Sequence, residues 1–176
     1  DIMLEILTYG NPDLTKPNSE LEQIGDEELA LIGAMIETMY EADGVGLAAP
    51  QIGRNLRMFV LDVDFDRDAK HPDETRNPQV FINPKITWES TEDEPFEEGC
   101  LSLPNVHAQV WRPSSVRMTW RDDAWEEHDE LLEGYLARVA QHEYDHLEQH
   151  LFVDRISQNK RLSLAPKLTE LRNNNK

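Results

Sequence analysis

Residues 140–150 read AQHEYDHLEQH and place His142, Glu143 and His146 in an H-E-x-x-H pattern. On a helix, positions i and i+4 share one face, so both imidazoles can bind one ion while the adjacent carboxylate reaches a water on it. This pattern constrains the fold, because Leu132, Leu136, Val139 and Leu147 turn the same general face toward a core. Histidines buried beside a carboxylate need partners, and a metal supplies them. The competing reading is a solvated acidic helix face carrying incidental histidines. A catalytic metal keeps three protein ligands and one open position. The extended H-E-x-x-H-x-x-G-x-x-H pattern is absent, since Gln149 and Phe152 stand where Gly and His belong. Three candidates are left for the third ligand. Glu170 lies in the C-terminal segment, His150 one turn beyond His146, and Cys100 in EEGCLSLP, a segment that reads as a strand entering a turn before Pro104. A lone Cys more often fills a core than binds an ion.

A second stretch, DGVGLAAPQIGRNLRMFVLDVD from Asp43 to Asp64, fits a loose dinucleotide fingerprint through Gly44, Gly46, Ala49 and Asp64. Its flanks argue against that. The fingerprint needs strand, glycine turn, helix, whereas residues 26–42 read as an amphipathic helix and residues 56–64 as a strand. Leu29, Ile32, Met35, Ile36 and Met39 supply the helix periodicity, and Asp26, Glu27 and Glu28 suit its N-terminal dipole. The glycines then form a tight helix-to-strand turn that a second backbone or a ligand can approach closely.

The remaining chain alternates short elements. Residues 64–78 are a polar loop, and 79–90 a strand region interrupted at Pro84. A short strand leads into EEGCLSLP. SVRMTW and WEEHDELL form a hairpin about RDDA, and a helix runs from about Leu132 to Glu148. The predicted class is α+β: mixed, mainly antiparallel strands around a central metal-binding helix, with an N-terminal and a C-terminal helix. The 176 residues suit one domain, divided here into a catalytic body over 1–157 and a basic tail or helix over 158–176. That last segment sets Lys160, Arg161, Lys167, Arg172 and Lys176 against Glu170, and Pro166 is expected to interrupt it. The formal net charge of −18 argues against wrapping nucleic acid or lying on an anionic membrane. One Cys excludes an internal disulfide framework and fits a reducing compartment, and no apolar run is long enough to span a bilayer. A cytoplasmic location is expected.

Three segments, taken in order, resemble the peptide deformylase family: GVGLAAPQ (44–51), EGCLS (98–102) and QHEYDHL (141–147). The resemblance covers most of residues 3–155. It implies removal of the N-formyl group from the N-terminal methionine of newly made polypeptides, with release of formate. It implies Cys100, His142 and His146 as ligands of one divalent ion, natively Fe2+, with Zn2+, Ni2+ or Co2+ possible in purified protein. Glu143 becomes the acid/base, and the Gln51 amide and the Leu101 backbone N–H become donors to the oxyanion. Gly44, Val45 and Gly46 fall beside an extended peptide, and Val45, Tyr135 and Val139 line a methionine pocket, although each also suits ordinary core. Glu98, Arg112 and Asp145 are expected to form an ion cluster behind the metal helix. The partners implied are nascent N-formylmethionyl peptides and, through the basic tail, ribosomal RNA; the plainer expectation is a frayed, solubilising tail. Two positions depart from many relatives: Gln149 replaces a Gly just past the metal helix, and His107 replaces an Arg near the peptide path. Rival readings are a peptidase using Glu170 or His150, and a non-enzymatic metal-binding module.

Overall fold

In the computed structural model, residues 3–175 are described, so Lys176 of the basic segment lies outside the described residues. The first helix, α1 (Asp26–Glu41), starts at a Gly25 N–H that donates to Glu28 Oε1 at 2.7 Å. Its buried side is Ile32, Met35 and Met39, as the periodicity predicts, whereas Leu29 stays 43% exposed. The strands are β1 (Gly46–Ala48), β2 (Met58–Leu61), β3 (Gln79–Glu89), β4 (Asp93–Cys100), β5 (Leu103–Pro113), β6 (Ser115–Arg121) and β7 (Glu127–Glu133). The metal-motif helix is α2 (Gly134–Leu147), and the last element is α3 (Gln158–Asn173).

Five strands form one sheet in the order β1-β2-β3-β6-β7, and β4 pairs with β5 in a separate two-stranded sheet. Every pairing of these strands is antiparallel. The parallel component of the predicted mixed sheet reduces to an isolated bridge between Ser19 and Leu56. The five-stranded sheet is covered on both faces. Phe59, Leu61, Phe81 and Met118 pack with Val139, Ala140 and Leu147 of α2, while Met58, Val60, Val80 and Ile82 pack with Met35 and Met39 of α1. Strand β2 is therefore buried throughout, which explains why MFVL reads as a continuous apolar run. Helix α2 lies between this sheet and the β4–β5 hairpin, and so is the central element expected.

Four expectations are corrected. Strand β3 is not broken at Pro84: pairing with β2 ends at Ile82, pairing with β6 resumes at Lys85, and the missing Pro N–H falls at that register shift. The metal helix begins at Gly134 rather than Leu132, because Leu132 and Glu133 complete β7 and the chain turns at Gly134 with φ +62°. Strand β5 was not anticipated, although Val106, Ala108 and Val110 point inward and alternate with exposed His107, Gln109 and Trp111. The C-terminal segment is not frayed. Helix α3 runs through Pro166, whose neighbours face solvent, and seats Leu164 and Leu168 against Leu103, Val106 and Val110. Among the described residues no helix is long and apolar enough to cross a membrane.

Candidate metal centre

Cys100 ends β4 at a register shift after Gly99, where the chain turns tightly into β5 and Cys100 pairs with Leu103. Across from it, α2 presents His142 and His146, both buried. One ligand atom from each of the three residues lies within 4.8 Å of the other two. The Cys100 Sγ to His146 Nε2 distance is 3.5 Å. A tetrahedral ion with bonds of about 2.3 Å to sulfur and about 2.0 Å to nitrogen has ligand–ligand edges of roughly 3.3–3.6 Å, so the donor set fits one. His142 Nδ1 shares a proton with Glu98 Oε1 at 2.8 Å, which leaves Nε2 for the ion. Among the described residues this is the one such group. His150 faces Asp154 at 3.7 Å instead, and Glu170 is exposed on α3.

Glu143 stands over the same point, its Oε2 3.9 Å from His142 Nε2. Its other oxygen is buried without a hydrogen-bond partner among the described residues. An unpartnered buried carboxylate oxygen is costly and suits a site that receives a water. Burial pushes the Glu143 carboxyl up to about 7, against the pull of nearby His142. Burial works against the charged form of His142 too, yet hydrogen bonding with Cys100 and Glu98 holds its pKa well above the ordinary imidazole value. His146 goes the other way: burial, then the charge on His142, lower it to about 3.

Gln51, buried in the single turn after β1, aims its amide at the thiol. The Ala48 N–H donates to Oε1 at 2.9 Å, so Nε2 must face Ser102 Oγ at 3.1 Å and Cys100 Sγ at 3.5 Å. The expected ion cluster is present and buried. Arg112 donates to Glu98 at 2.7 and 3.0 Å and to Asp145 at 2.8 Å. Burial alone would raise the Glu98 carboxyl, but hydrogen bonds from His142 and Arg112 hold it far below the usual carboxylate range. Asp145 is likewise lowered, its burial outweighed by Arg155 and Arg112.

Gln51, Glu98, Cys100, His142 and Glu143 open onto a cavity of about 300 Å³. It is lined by Gly44, Val45 and Gly46, by Glu97 to Leu101, and by Tyr135, Val139, His142 and Glu143 along α2. His107 also reaches it, packed over Gly99, where a Cβ would lie 2.7 Å from the imidazole Cδ2. The sequence model of the family described as Polypeptide deformylase matches residues 3–162. The chain belongs to the polypeptide deformylase family. Among its relatives, a peptide deformylase of Cytophaga hutchinsonii is 46% identical over 166 residues, covering 94% of this chain and 89% of that one. A plant peptide deformylase, PDF1B, superposes with a TM-score of 0.89 at 36% identity, covering 97% and 90% of the two chains. A deformylase of Synechococcus elongatus, solved in complex with actinonin, gives a TM-score of 0.83 at 38% identity, covering 96% and 85%. The chain is thus a hydrolase that removes the formyl group from N-formylated nascent peptides, and its metal-binding group suits a single ion.

Relative to the deformylase pattern, Gln149 takes the left-handed conformation (φ +68°) that a Gly would adopt without cost. It closes α2 with the His150 N–H bonded to the Asp145 carbonyl at 2.8 Å, and its side chain bonds the Thr15 carbonyl at 3.1 Å. Sequence reasoning missed three participants. Ser102 orients the Gln51 amide, Arg155 chelates Asp145, and Arg138 is a second guanidinium on Glu98. Only Ser102 carried a signal, since it lies inside the EGCLS segment. Arg138 looks like a surface cation until the hairpin is folded over α2, and Arg155 stays half-exposed beside Asp145.

Proposed function

We propose that Cys100, His142 and His146 hold one divalent ion, ferrous iron in the native protein, and that Glu143, Gln51 and Leu101 perform the hydrolysis beside it. When bound, such an ion supplies a water acidic enough to ionise near neutral pH and a positive charge next to the formyl oxygen. Glu143 accepts the proton of the attacking water, a role suited to a carboxyl raised to about 7. The developing oxyanion is held by the Gln51 amide and the Leu101 backbone N–H; one such donor is worth roughly 2.7–4 kcal/mol. Glu143 then passes its proton to the leaving amine, and formate and a free N-terminus depart.

Strand β1 supports a substrate role for its first residue, Gly46, with Gly44 and Val45 leading into it. It pairs with β2 on one side only, so its other edge can take an extended peptide as an added strand. The methionine side chain then lies against Val45, Tyr135 and Val139. Residues 1–157 form the catalytic unit in this reading, with 158–176 an appended helix. A reducing cytosol would keep the Cys100 thiolate intact. We also keep the ribosome as a partner through the basic segment. Arg161, Lys167 and Arg172 already bond Val153, Asn105 and Tyr9, so among the described residues Lys160 is the cation to test, by co-sedimentation of Lys160→Glu at low salt.

The observation that carries this reading is the convergence of a strand thiol and two helix imidazoles, with Glu143 and Gln51 at the same cavity. Its test is formate release from formyl-Met-Ala-Ser. Glu143→Ala should keep its metal and lose turnover, and Cys100→Ser should lose metal. A Cys100→Ser protein with native metal content and activity would defeat it.

A further inference from the structure

Glu98 joins strand β4 to the metal helix, and two arginines hold it. The less obvious one is Arg138, one helical turn before His142 and only 9% exposed. Its Nη1 donates to Glu98 Oε2 at 2.7 Å and to the Val110 carbonyl at 3.1 Å, while Nη2 donates to the Glu94 carbonyl at 2.6 Å. Glu94 and Glu98 belong to β4 and Val110 to β5, so one side chain of α2 grips both strands of the hairpin that carries Cys100. It also bonds the carboxylate that receives His142 Nδ1. The guanidinium lies over the Phe96 ring, 5.6 Å from its centroid.

The hairpin needs such a grip. A two-stranded sheet is marginal by itself, and β4–β5 pairs with no strand of the larger sheet. Residues 151–153 and α3 back its inner face, and side chains from α2 bond it directly to the helix that bears the imidazoles. Arg112 spends its bonds on the carboxylates of Glu98 and Asp145. Gln141 reaches the Pro113 carbonyl at the far end of β5, at 3.0 Å. Arg138 combines backbone carbonyls of both strands with the carboxylate under His142, a use of the planar fork that a lysine cannot copy.

We propose that Arg138 is a positioning residue that sets metal affinity by clamping the thiolate-bearing hairpin to the histidine-bearing helix and by fixing Glu98 beneath His142. This rests on the three-ligand site proposed above. The test compares Zn2+ affinity, measured by competition with a chromophoric chelator, and the Co2+ absorption spectrum of the wild-type protein, Arg138→Met, Arg138→Lys, Cys100→Ser and Met39→Ala. Met39 is a fully buried core residue on the opposite face of the sheet, so its truncation controls for general destabilisation.

Arg138→Met should bind Zn2+ roughly 10–100-fold more weakly, with a displaced thiolate-to-Co2+ band. Arg138→Lys should recover part of the loss, because an ammonium can pair with Glu98 but cannot also span both carbonyls. Met39→Ala should bind normally. A folded Arg138→Met protein with wild-type affinity and spectrum overturns the clamp. If that variant fails to fold, Arg138→Lys decides, and native affinity and spectrum there overturn it as well. Native binding by Arg138→Met alongside lost binding by Cys100→Ser sinks the clamp alone. Undiminished binding by Cys100→Ser sinks the underlying site.

Discussion

Gly46 lies directly against Glu143: a Cβ at position 46 would stand 2.6 Å from Glu143 Oε2 and 2.9 Å from both Cδ and Cγ. Those distances are too short for any side chain, so the glycine lets the carboxylate reach its position. Gly46→Ala should push Glu143 off line while leaving the three metal ligands in place. A displacement near 1 Å can cost about 100-fold in rate, so kcat for formate release should fall by roughly that much with full metal content. Unchanged turnover in a metal-replete Gly46→Ala protein would refute this account of the glycine.

Arg112 pairs with both Glu98 and Asp145, and all three side chains are at or below 5% exposure. Removing one partner of a buried ion cluster leaves uncompensated charge and costs about 3–5 kcal/mol. Arg138 and Arg155 remain on the two carboxylates and will soften the loss. Arg112→Met should lower Tm by roughly 6–15 °C for a chain this size, measured by calorimetry near pH 7. A shift of a degree or two would mean the remaining arginines suffice.

The two histidines were legible from spacing alone, because i and i+4 meet on any helix. Cys100 was not separable that way from Glu170 or His150, since its approach depends on how a hairpin folds over α2; resemblance, not spacing, singled it out. Strand β5 hid its alternation behind Ala108, a weak apolar residue, and Pro104 and Pro113 near and at its ends. Arg138 was invisible for a different reason. A cation one turn before His142 reads as solvent-facing, and only the hairpin across α2 makes that face interior. The glycines of GVGLAAPQ suggest close approach by a backbone or a ligand, whereas what lies against them in the fold is the Leu101 side chain at Gly44 and the Glu143 side chain at Gly46.

At the far edge of the sheet, His128 stacks on Trp120 with ring centroids 5.0 Å apart and faces Asp122 at 2.7 Å and Glu130 at 3.2 Å. The bond to Asp122 chiefly, then Glu130, raises its pKa above the ordinary value of 6.5. The folded chain therefore binds that proton more readily than the unfolded chain, so protonation favours the fold. The contribution is complete below pH 6.5 and fades as pH rises through the raised folded value. At the acid end, hydrogen bonding to His128 lowers Asp122, so the pair is lost only as pH falls through that depressed value. An exposed pair is worth at most about 1 kcal/mol, or roughly 2–4 °C. The stability deficit of His128→Asn relative to wild type should be largest below pH 6.5 and shrink as pH rises through the raised folded value. A stability difference that does not change with pH would exclude the ion pair as its source.

The composition of helix α3 and its packing point in opposite directions. Its sequence is polar and carries Pro166, yet Leu164 and Leu168, one turn apart, are buried beside Leu103, Val106 and Val110 on the inner face of the hairpin. The same hairpin delivers Cys100, so the C-terminal segment supports the metal site from behind. Truncating a buried Leu to Ala costs about 2–5 kcal/mol. Leu168→Ala, placed at the low end because its site borders solvent, should lower Tm by roughly 4–8 °C. It should also speed metal loss to a chelator, since the hairpin loses backing while α2 does not. Met39→Ala, destabilised on the other face of the sheet, should lose stability without that faster release. Equal release rates in the two variants would show that α3 stabilises the fold as a whole and gives the thiolate strand no particular support.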